Sequence, residues 1–371
     1  MVDNQNQRRQ EMYFELSSRI AHIDNAQLRS LFDKNETRTD WGTNHIIEIG
    51  RSKVFVKRVP VTNTEYENMF STKNIYDLPT YYNYGFGSAG LGVFRELITH
   101  IKTTNWVLDG AISTFPLMYH YRIIPFCGLR ADVNMEQHAS YMEYWGNHPN
   151  IGRYILDRAN AKYELVLFLE YIPYTVGTWL LENPKKIPMI IADTQATISF
   201  LRNNGIIHLD TDFFNILTDG KQAYLTDFGL VLDKRFTLTP EEKQFFKQNN
   251  YYDYGNLLWS LGSHLTWMYY GLSNTDKRRI CKKYKIDNGV KFEEMMSILL
   301  NNIDDLYASE IMNLDRNYIA SLAKYRSVII FMHKYYSNMR RNNKKDTQLD
   351  HTTLQRLLKE TGFFPDSTFN G

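Results

Sequence analysis

The chain has 371 residues, of which 43% are hydrophobic and 23% are charged, a composition typical of a globular protein with a sizeable core and room for one large domain or two smaller ones. Its formal net charge of +2, without a long basic run, argues against a protein dedicated to binding nucleic acids or membrane surfaces. Cys127 and Cys281 have neither metal-binding nor disulfide spacing, the start of the chain lacks an apolar signal core, and no apolar run approaches the roughly 20 residues of a membrane span, so we expect a soluble, cytoplasmic protein.

The first predicted element is a helical extension over residues 1–40. Within residues 9–35, apolar side chains recur at helical spacing from Met12 to Ile23, and Asn25 is a candidate N-cap for a second short helix. We expect this extension to pack against the domain that follows it.

A β-hairpin is predicted next, with a turn at Gly50-Arg51-Ser52 and a second strand from Val54 to Arg58. Side chains alternate between the two faces of a strand, so Lys57 lies on the face opposite Val56. Residues 62–64 then offer caps for a short helix.

A glycine-rich string, GFGSAGLG at residues 85–92, matches the G-x-G-x-x-G pattern of phosphate-binding loops. Phosphate-binding loops of this kind can be followed by a strand and then a lysine that binds phosphate. If residues 93–98 formed that strand, Lys102 would be this lysine. Apolar residues recur at i, i+3, i+4 and i+7 from Phe94, however, which predicts a helix over VFRELITHIKTTNWVL. The string is therefore interpreted as a flexible lead into this helix or, alternatively, as a loop that closes over a nucleotide.

Two strands are predicted in the middle of the chain, at FPLMYHYRII from Phe115 and at VLFLEYIP up to Pro173. Helices are predicted over residues 178–181 and 187–201, and the second of these ends at a glycine stop, Asn203-Asn204-Gly205.

Residues 205–229 contain two motifs at close spacing. His208, Asp210 and Asn215 form the pattern H-x-D-x-x-x-x-N, and a predicted Asp-Gly hairpin leads from there into Asp227-Phe228-Gly229. Transfer of a phosphoryl group needs a carboxylate near the acceptor hydroxyl and hard oxygen ligands for Mg²⁺, both on rigid backbone. The two motifs contain these groups in the required order.

Together the motifs resemble the catalytic loop and the D-F-G segment of the protein-kinase-like superfamily. The resemblance implies an α+β, bilobal protein-kinase-like fold, with a β-rich N-lobe over residues 41–171 and a mainly helical C-lobe over residues 172–371. It extends over roughly residues 41–270 and is specific only at the two motifs.

The resemblance also implies ATP and Mg²⁺ as cofactors and gives the motif residues their roles. Asp210 would orient or deprotonate the acceptor hydroxyl, and Asn215 and Asp227 would bind the metal ion and, with it, the nucleotide. A metal cluster of His208, Asp210 and Asp212 is the alternative, which the alternation of side chains along an extended segment disfavours.

The strand Val54-Phe55-Val56-Lys57 is similar to the V-A-I-K strand of protein kinases, which makes Lys57 the residue that holds the ATP phosphates. In that family a glutamate on a helix orients this lysine. Glu96 is the candidate, although it lies farther from Lys57 than the family pattern allows, so Glu65 and Glu67 are alternatives.

Two further positions follow from the resemblance. Glu170, Tyr171 and Ile172 fall where the hinge of the family binds adenine through backbone groups. Asp253 is placed like the buried aspartate that accepts hydrogen bonds from the catalytic-loop backbone, although it could also be a helix cap.

Some features depart from the pattern of Ser/Thr protein kinases. Asp212 stands where a lysine or histidine is usual beside the γ-phosphate, no A-P-E segment follows, and a helix start at Thr239-Pro240 replaces the usual activation loop. We expect a divergent Ser/Thr protein kinase with a protein or small-molecule hydroxyl acceptor and no nucleic-acid partner. A kinase of a small hydroxylated molecule, a pseudokinase or scaffold, and a nucleotidyl transferase are the alternatives.

Overall fold

The computed structural model describes residues 2–32, 37–39, 42–126, 133–287, 289–342 and 345–364, without the side chains of residues 2–5 and 37–39. Cys127 and the end of the predicted helical segment, residues 33–35, lie outside the described residues, and Cys281 has a free thiol. The helices are α1 (Val2–Ala21), α2 (Asn25–Phe32), α3 (Asn63–Glu67), α4 (Val93–Leu108), α5 (Met135–Tyr144), α6 (Pro149–Ala159), α7 (Val176–Trp179), α8 (Ile187–Asn203), α9 (Pro240–Gln248), α10 (Tyr252–Gly271), α11 (Asn274–Tyr284), α12 (Phe292–Asn301), α13 (Ile303–Ala308), α14 (Arg316–Arg341) and α15 (His351–Glu360). The strands are β1 (Thr37–Thr39), β2 (Gly42–Ile49), β3 (Ser52–Val61), β4 (Met118–Pro125), β5 (Tyr163–Glu170), β6 (Tyr174–Thr175), β7 (Ile206–Ile207), β8 (Ile216–Thr218), β9 (Ala223–Leu225) and β10 (Leu232–Asp233).

The chain folds into two compact units. The first comprises Met1–Pro173 and Tyr224–Phe246, and the second comprises Tyr174–Ala223 and Lys247–Gly371. Residues 224–246 therefore belong to the unit formed by the first half of the chain, although they follow the H-x-D motif in the sequence. As a result, Asp227 lies in the first unit, together with Lys57.

An antiparallel sheet forms the centre of the first unit, with the strand order β1-β2-β3-β5-β4 among the described residues. The predicted hairpin is confirmed as β2 and β3, in which Ile49 pairs with Ser52. Gly50 in the turn has a φ of 65°, a conformation that costs glycine little. The fold is thus α+β, with its antiparallel sheet in the N-terminal region.

Helix α4 covers one face of this sheet and confirms the prediction from helical spacing. Phe94 and Leu97 are buried in one cluster with Val59 of β3 and Leu167 of β5. Because side chains alternate along a strand, Lys57 lies on the same face of β3 as Val59 and so points toward α4.

Helices α1 and α2 also belong to the first unit. Leu16 and Ile20 of α1 are buried, and Arg122 of β4 donates to the carbonyl oxygen of Ile20 at 2.8 Å. The predicted cap Asn25 is wrong by one residue. The Oδ1 atom of Asp24 accepts, at 2.8 Å, from the N–H groups two and three positions later, and Asn25 is the first helical residue.

The second unit is mainly helical. Helix α10 is buried over most of its length and packs with α8, α12 and α14. A Cβ atom at Gly262 would lie 2.4 Å from Cε of Met296, so this glycine lets α10 and α12 approach closely. Strands β6 and β8 form an antiparallel pair in the same unit. Among the helices of the described residues, none combines the length and apolar composition needed to cross a bilayer.

Candidate active site

Lys57 of β3 lies between two carboxylates of the first unit. Its Nζ atom is 2.6 Å from Oε1 of Glu96 and 3.0 Å from Oδ1 of Asp227. Glu96 comes from the first turn of α4, and Asp227 comes from the D-F-G segment after β9. Three residues that are distant in sequence and were predicted from separate patterns therefore form one charged cluster.

The charges in this cluster stabilise each other. Burial is the largest influence on the pKa of Lys57 and lowers it, but the carboxylates of Asp227 and Glu96 outweigh burial and raise this pKa above its ordinary value. Burial also opposes ionisation of Glu96, yet Lys57 and His100 lower the pKa of Glu96 to about 2. At neutral pH Lys57 and Glu96 are therefore both charged.

Neither of the alternative partners, Glu65 and Glu67, pairs with Lys57 in the structure. Glu65 is buried, and its Oε1 atom accepts from the N–H group of Val93 at 3.0 Å, at the start of α4. Its Oε2 atom accepts from the N–H group of Thr62 at 2.9 Å and completes a capping box on α3. The predicted short helix is thereby confirmed, whereas Glu67 is exposed.

Asp227 has a strained backbone, with a φ of 62°. This left-handed conformation is uncommon for residues other than glycine, and such strain occurs preferentially at functional sites. The ring of the next residue, Phe228, lies edge-on to His100 of α4, with 4.8 Å between the ring centroids. His100 also lies 3.8 Å from Glu96, one helical turn away, so it contacts both Glu96 and the residue that follows Asp227. This position was missed from the sequence, although the i, i+4 spacing of Glu96 and His100 was visible there.

The segment after Asp227 is attached to α4 by two ion pairs. Lys102 pairs with Asp233 of β10. Arg95 lies 2.7 Å from Oε1 of Glu242 in α9, and both side chains of this second pair are almost completely buried. Lys102 is therefore ion-paired. Residues 93–98 belong to α4 and do not form the strand on which a phosphate-binding role of Lys102 depended.

The glycine string packs against the D-F-G backbone instead. A Cβ atom at Gly90 would lie 2.1 Å from the carbonyl oxygen of Gly229, and the φ of Gly90 is 77°. At Gly87, where φ is 87°, nothing lies within 4 Å of such an atom. Of these two glycines, only Gly90 must lack a side chain for close contact.

The first predicted hinge residue, Glu170, is the last residue of β5, and Tyr171 and Ile172 follow it. The N–H group of Glu170 donates to the carbonyl oxygen of Leu117 at 2.7 Å, so this donor is used within the protein. The Nζ atom of Lys53 lies 5.5 Å from the ring centroid of Tyr171. An adenine contact through the backbone of Tyr171 and Ile172 stays a prediction.

The second unit holds the H-x-D motif in a fixed conformation. Asp253 of α10 accepts from the N–H groups of His208 and Leu209, both at 2.7 Å. Leu209 has a φ of 68°, and these bonds stabilise its strained backbone. Burial raises the pKa of Asp253 to about 6. The expected hydrogen bonds between Asp253 and the backbone of the H-x-D motif are confirmed.

Asp210 and Asn215 are linked within this loop. The Nδ2 atom of Asn215 donates to the carbonyl oxygen of Asp210 at 3.0 Å. This bond fixes which side of the amide group is the nitrogen, and leaves its oxygen as the atom suited to a metal ion. The carboxylate of Asp227 is partly exposed. The amide oxygen of Asn215 and the carboxylate oxygens of Asp227 are hard donors of the kind that Mg²⁺ prefers.

Asp212 is used within its own loop. One carboxylate oxygen accepts from the N–H group of Phe214 at 2.9 Å, and the other accepts from the hydroxyl of Ser260 at 3.0 Å. Burial raises the pKa of Asp212, which the bonds from Phe214 and Ser260 partly offset. Within the described residues no group of three or more His, Cys, Asp or Glu side chains could hold a metal ion alone, so the alternative cluster with His208 is not formed.

No family model matches this chain. The chain is similar to the probable CTD kinase subunit alpha homolog of Encephalitozoon cuniculi (strain GB-M1), with 28% identity over 137 residues. The matched region covers 33% of this chain and 42% of that relative, so the similarity spans less than half of either protein.

Proposed function

We propose that this protein is an ATP- and Mg²⁺-dependent phosphotransferase that transfers the terminal phosphoryl group of ATP to a hydroxyl acceptor, in the manner of a divergent Ser/Thr protein kinase. The observation that carries the proposal is the position of Lys57, 2.6 Å from Glu96 and 3.0 Å from Asp227. A lysine oriented by a helical glutamate, next to an aspartate suited to metal binding, is the arrangement that phosphoryl transfer uses for the nucleotide phosphates.

Each residue of the proposed reaction has a distinct task. Lys57 binds phosphate oxygens, and Glu96 keeps its ammonium group in place. Asp227 and Asn215 would hold Mg²⁺, which would supply positive charge to the phosphate oxygens. Asp210 orients the acceptor hydroxyl and takes its proton as the acceptor oxygen bonds to the γ-phosphorus, while the bond from that phosphorus to the β–γ bridging oxygen breaks and ADP leaves.

The catalytic loop supports the same assignment. Two hydrogen bonds from its backbone to Asp253 hold Leu209 in a strained conformation immediately before Asp210. Strain of this kind persists only where the surrounding structure enforces it, which fits a carboxylate that must stay in one position. The partial similarity to a protein named as a kinase subunit agrees with the proposal.

The deciding experiment is incubation with ATP labelled in its terminal phosphoryl group and Mg²⁺, with a general protein acceptor and, separately, with a mixture of hydroxylated small molecules. The expected products are ADP and an acceptor that has gained one phosphoryl group, both identified by mass spectrometry. Asp227→Ala should abolish the reaction, and the matched variant Asp109→Ala, at an exposed position, should retain it.

Two results would contradict the proposal. An acceptor carrying AMP, with release of pyrophosphate, would show nucleotidyl transfer. If neither ADP nor a modified acceptor forms with any divalent cation, the protein is a scaffold. Modification of the small molecules alone would replace the protein-kinase assignment with that of a small-molecule kinase.

A further inference from the structure

Arg9 of α1 is buried although it belongs to the N-terminal extension. Its side chain is 7% exposed, and its guanidinium group donates to both carboxylate oxygens of Glu170, at 3.0 and 2.7 Å. It also donates to the carbonyl oxygen of Ser113 at 2.7 Å and to that of Phe115 at 2.6 Å. A planar guanidinium with several N–H groups can make these bonds at once, which a lysine cannot do.

The partners of Arg9 lie at the junction of β5 and the segment that precedes β4. One oxygen of Glu170 also accepts from the N–H group of Leu117 at 3.0 Å. Burial is the largest influence on the pKa of Arg9 and lowers it, but Glu170 outweighs burial and the net pKa is raised. Arg9 therefore holds residues 113–117 and the end of β5 together through a charged, nearly water-free contact.

The same segment leads to the D-F-G motif. Thr114, between the two carbonyl groups bound by Arg9, accepts from the N–H group of Leu225 at 2.9 Å. Leu225 stands two positions before Asp227. The guanidinium of Arg9 also lies over the ring of Tyr224, 5.4 Å from its centroid. One side chain of α1 thus touches β9 directly and supports it through Thr114.

We propose that Arg9 is a positioning residue for phosphoryl transfer. It holds two segments in place: the end of β5, next to the predicted adenine contacts, and strand β9, which ends two residues before Asp227. The inference rests on the proposed function of the Asp227 site. Helix α1 would then contribute to activity, because the guanidinium of Arg9 contacts both the end of β5, near the predicted nucleotide contacts, and β9, near the predicted metal ligand Asp227.

The test compares Arg9→Met with Arg8→Met, because Arg8 is the neighbouring, exposed arginine of the same helix. We expect Arg9→Met to raise the KM for ATP by at least about tenfold, since small displacements at an active site have effects of this size. Arg9→Lys should recover only part of the loss, because lysine restores the charge but not the planar guanidinium with its several N–H groups. Arg9→Met/Glu170→Met should be closer to the native enzyme than Arg9→Met, because it leaves no buried carboxylate without its partner.

A second measurement keeps this test separate from that of the proposed function. Hydrogen–deuterium exchange needs no turnover, and Arg9→Met should accelerate exchange in residues 113–117 and 224–229, whereas Arg8→Met should not. If Arg9→Met does not fold, Arg9→Lys should show the same pattern in weaker form. A lower melting temperature with unchanged exchange in those residues and an unchanged KM for ATP would overturn the inference. Faster exchange in a protein that never turns over ATP would leave the positioning contact standing and reject only the proposed reaction.

Discussion

The ammonium group of Lys57 lies 2.6 Å from the carboxylate of Glu96, and the glutamate side chain is only 5% exposed. The pair joins β3 to α4 within the first unit. Because each partner is held in its charged form by the other, removal of either one changes the charge, the position and the hydration of the group that is left.

Glu96→Gln is the first test of this relationship. Glutamine keeps the shape of the side chain but removes the charge that orients Lys57, so we expect kcat/KM for ATP-dependent transfer to fall by about tenfold or more, which corresponds to roughly 1.4 kcal/mol. Glu67→Gln is the matched control, since Glu67 is exposed. Steady-state kinetics of both variants measure the effect. Equal activity of the two would mean that Glu96 does not serve Lys57 in catalysis.

Asp210→Ala should separate binding from chemistry. We expect affinity for ATP with Mg²⁺ to be retained and the rate of transfer to fall by about 10²-fold or more, as for the loss of a general base. Single-turnover rates and nucleotide-binding titrations measure the two quantities separately, and Asp304→Ala, at an exposed position of the second unit, is the control. A parallel loss of binding and transfer would instead make Asp210 a metal ligand.

Gly90→Ala and Gly87→Ala form a matched pair in the glycine string. Both positions have positive φ, so each substitution should cost about 1 kcal/mol of backbone strain. Only at Gly90 does the new methyl group meet a backbone oxygen, 2.1 Å away at Gly229. We expect Gly90→Ala to lower the melting temperature and transfer activity clearly more than Gly87→Ala. Equal effects of the two would show that the contact with Gly229 is unimportant.

Asp253 gives the protein a pH dependence of defined sign. Burial raises its pKa from 3.8 to about 6, so between these values the folded protein holds a proton that the unfolded chain has released. The protonated Asp253 therefore makes a contribution to the free energy of unfolding that is fully present below pH 4 and is lost as the pH rises to 6. The total loss is about 3 kcal/mol.

Urea unfolding at several pH values between 4 and 7 measures this contribution as the difference between the native protein and Asp253→Asn, which does not titrate. Asparagine also offers one acceptor oxygen for two N–H donors, so we expect the variant to lose transfer activity at every pH. Parallel pH curves for the two proteins would contradict the assigned pKa shift.

Local patterns in the sequence predicted the local structure well. Helix α4, the β2–β3 hairpin and the Thr62 cap follow from spacing and from side chains a few residues apart. The charge at Asp212 was expected to lie beside the nucleotide. Asp212 instead accepts a hydrogen bond from the N–H group of Phe214, two residues later. Aspartate side chains often make this Asx-turn bond, so it was predictable from the sequence.

Long-range contacts account for what the sequence did not reveal. Arg9 and Glu170 are 161 positions apart, and no pattern in the sequence pairs them. Lys102 and Asp233 are likewise far apart in the sequence, and only the fold brings them together. The placement of residues 224–246 in the first unit depends on many such pairings, none of which periodicity reports.

The two ion pairs between α4 and the chain after Asp227 have a consequence for local unfolding. Arg95 and Lys102 are two helical turns apart on α4, so Glu242 and Asp233 are both held by the helix that carries Glu96. Opening of residues 233–242 would leave buried charges unpaired at both ends of the segment. Amide protons in this stretch should therefore exchange mainly when the first unit unfolds as a whole, and proteases should cleave it no faster than the strands of the sheet.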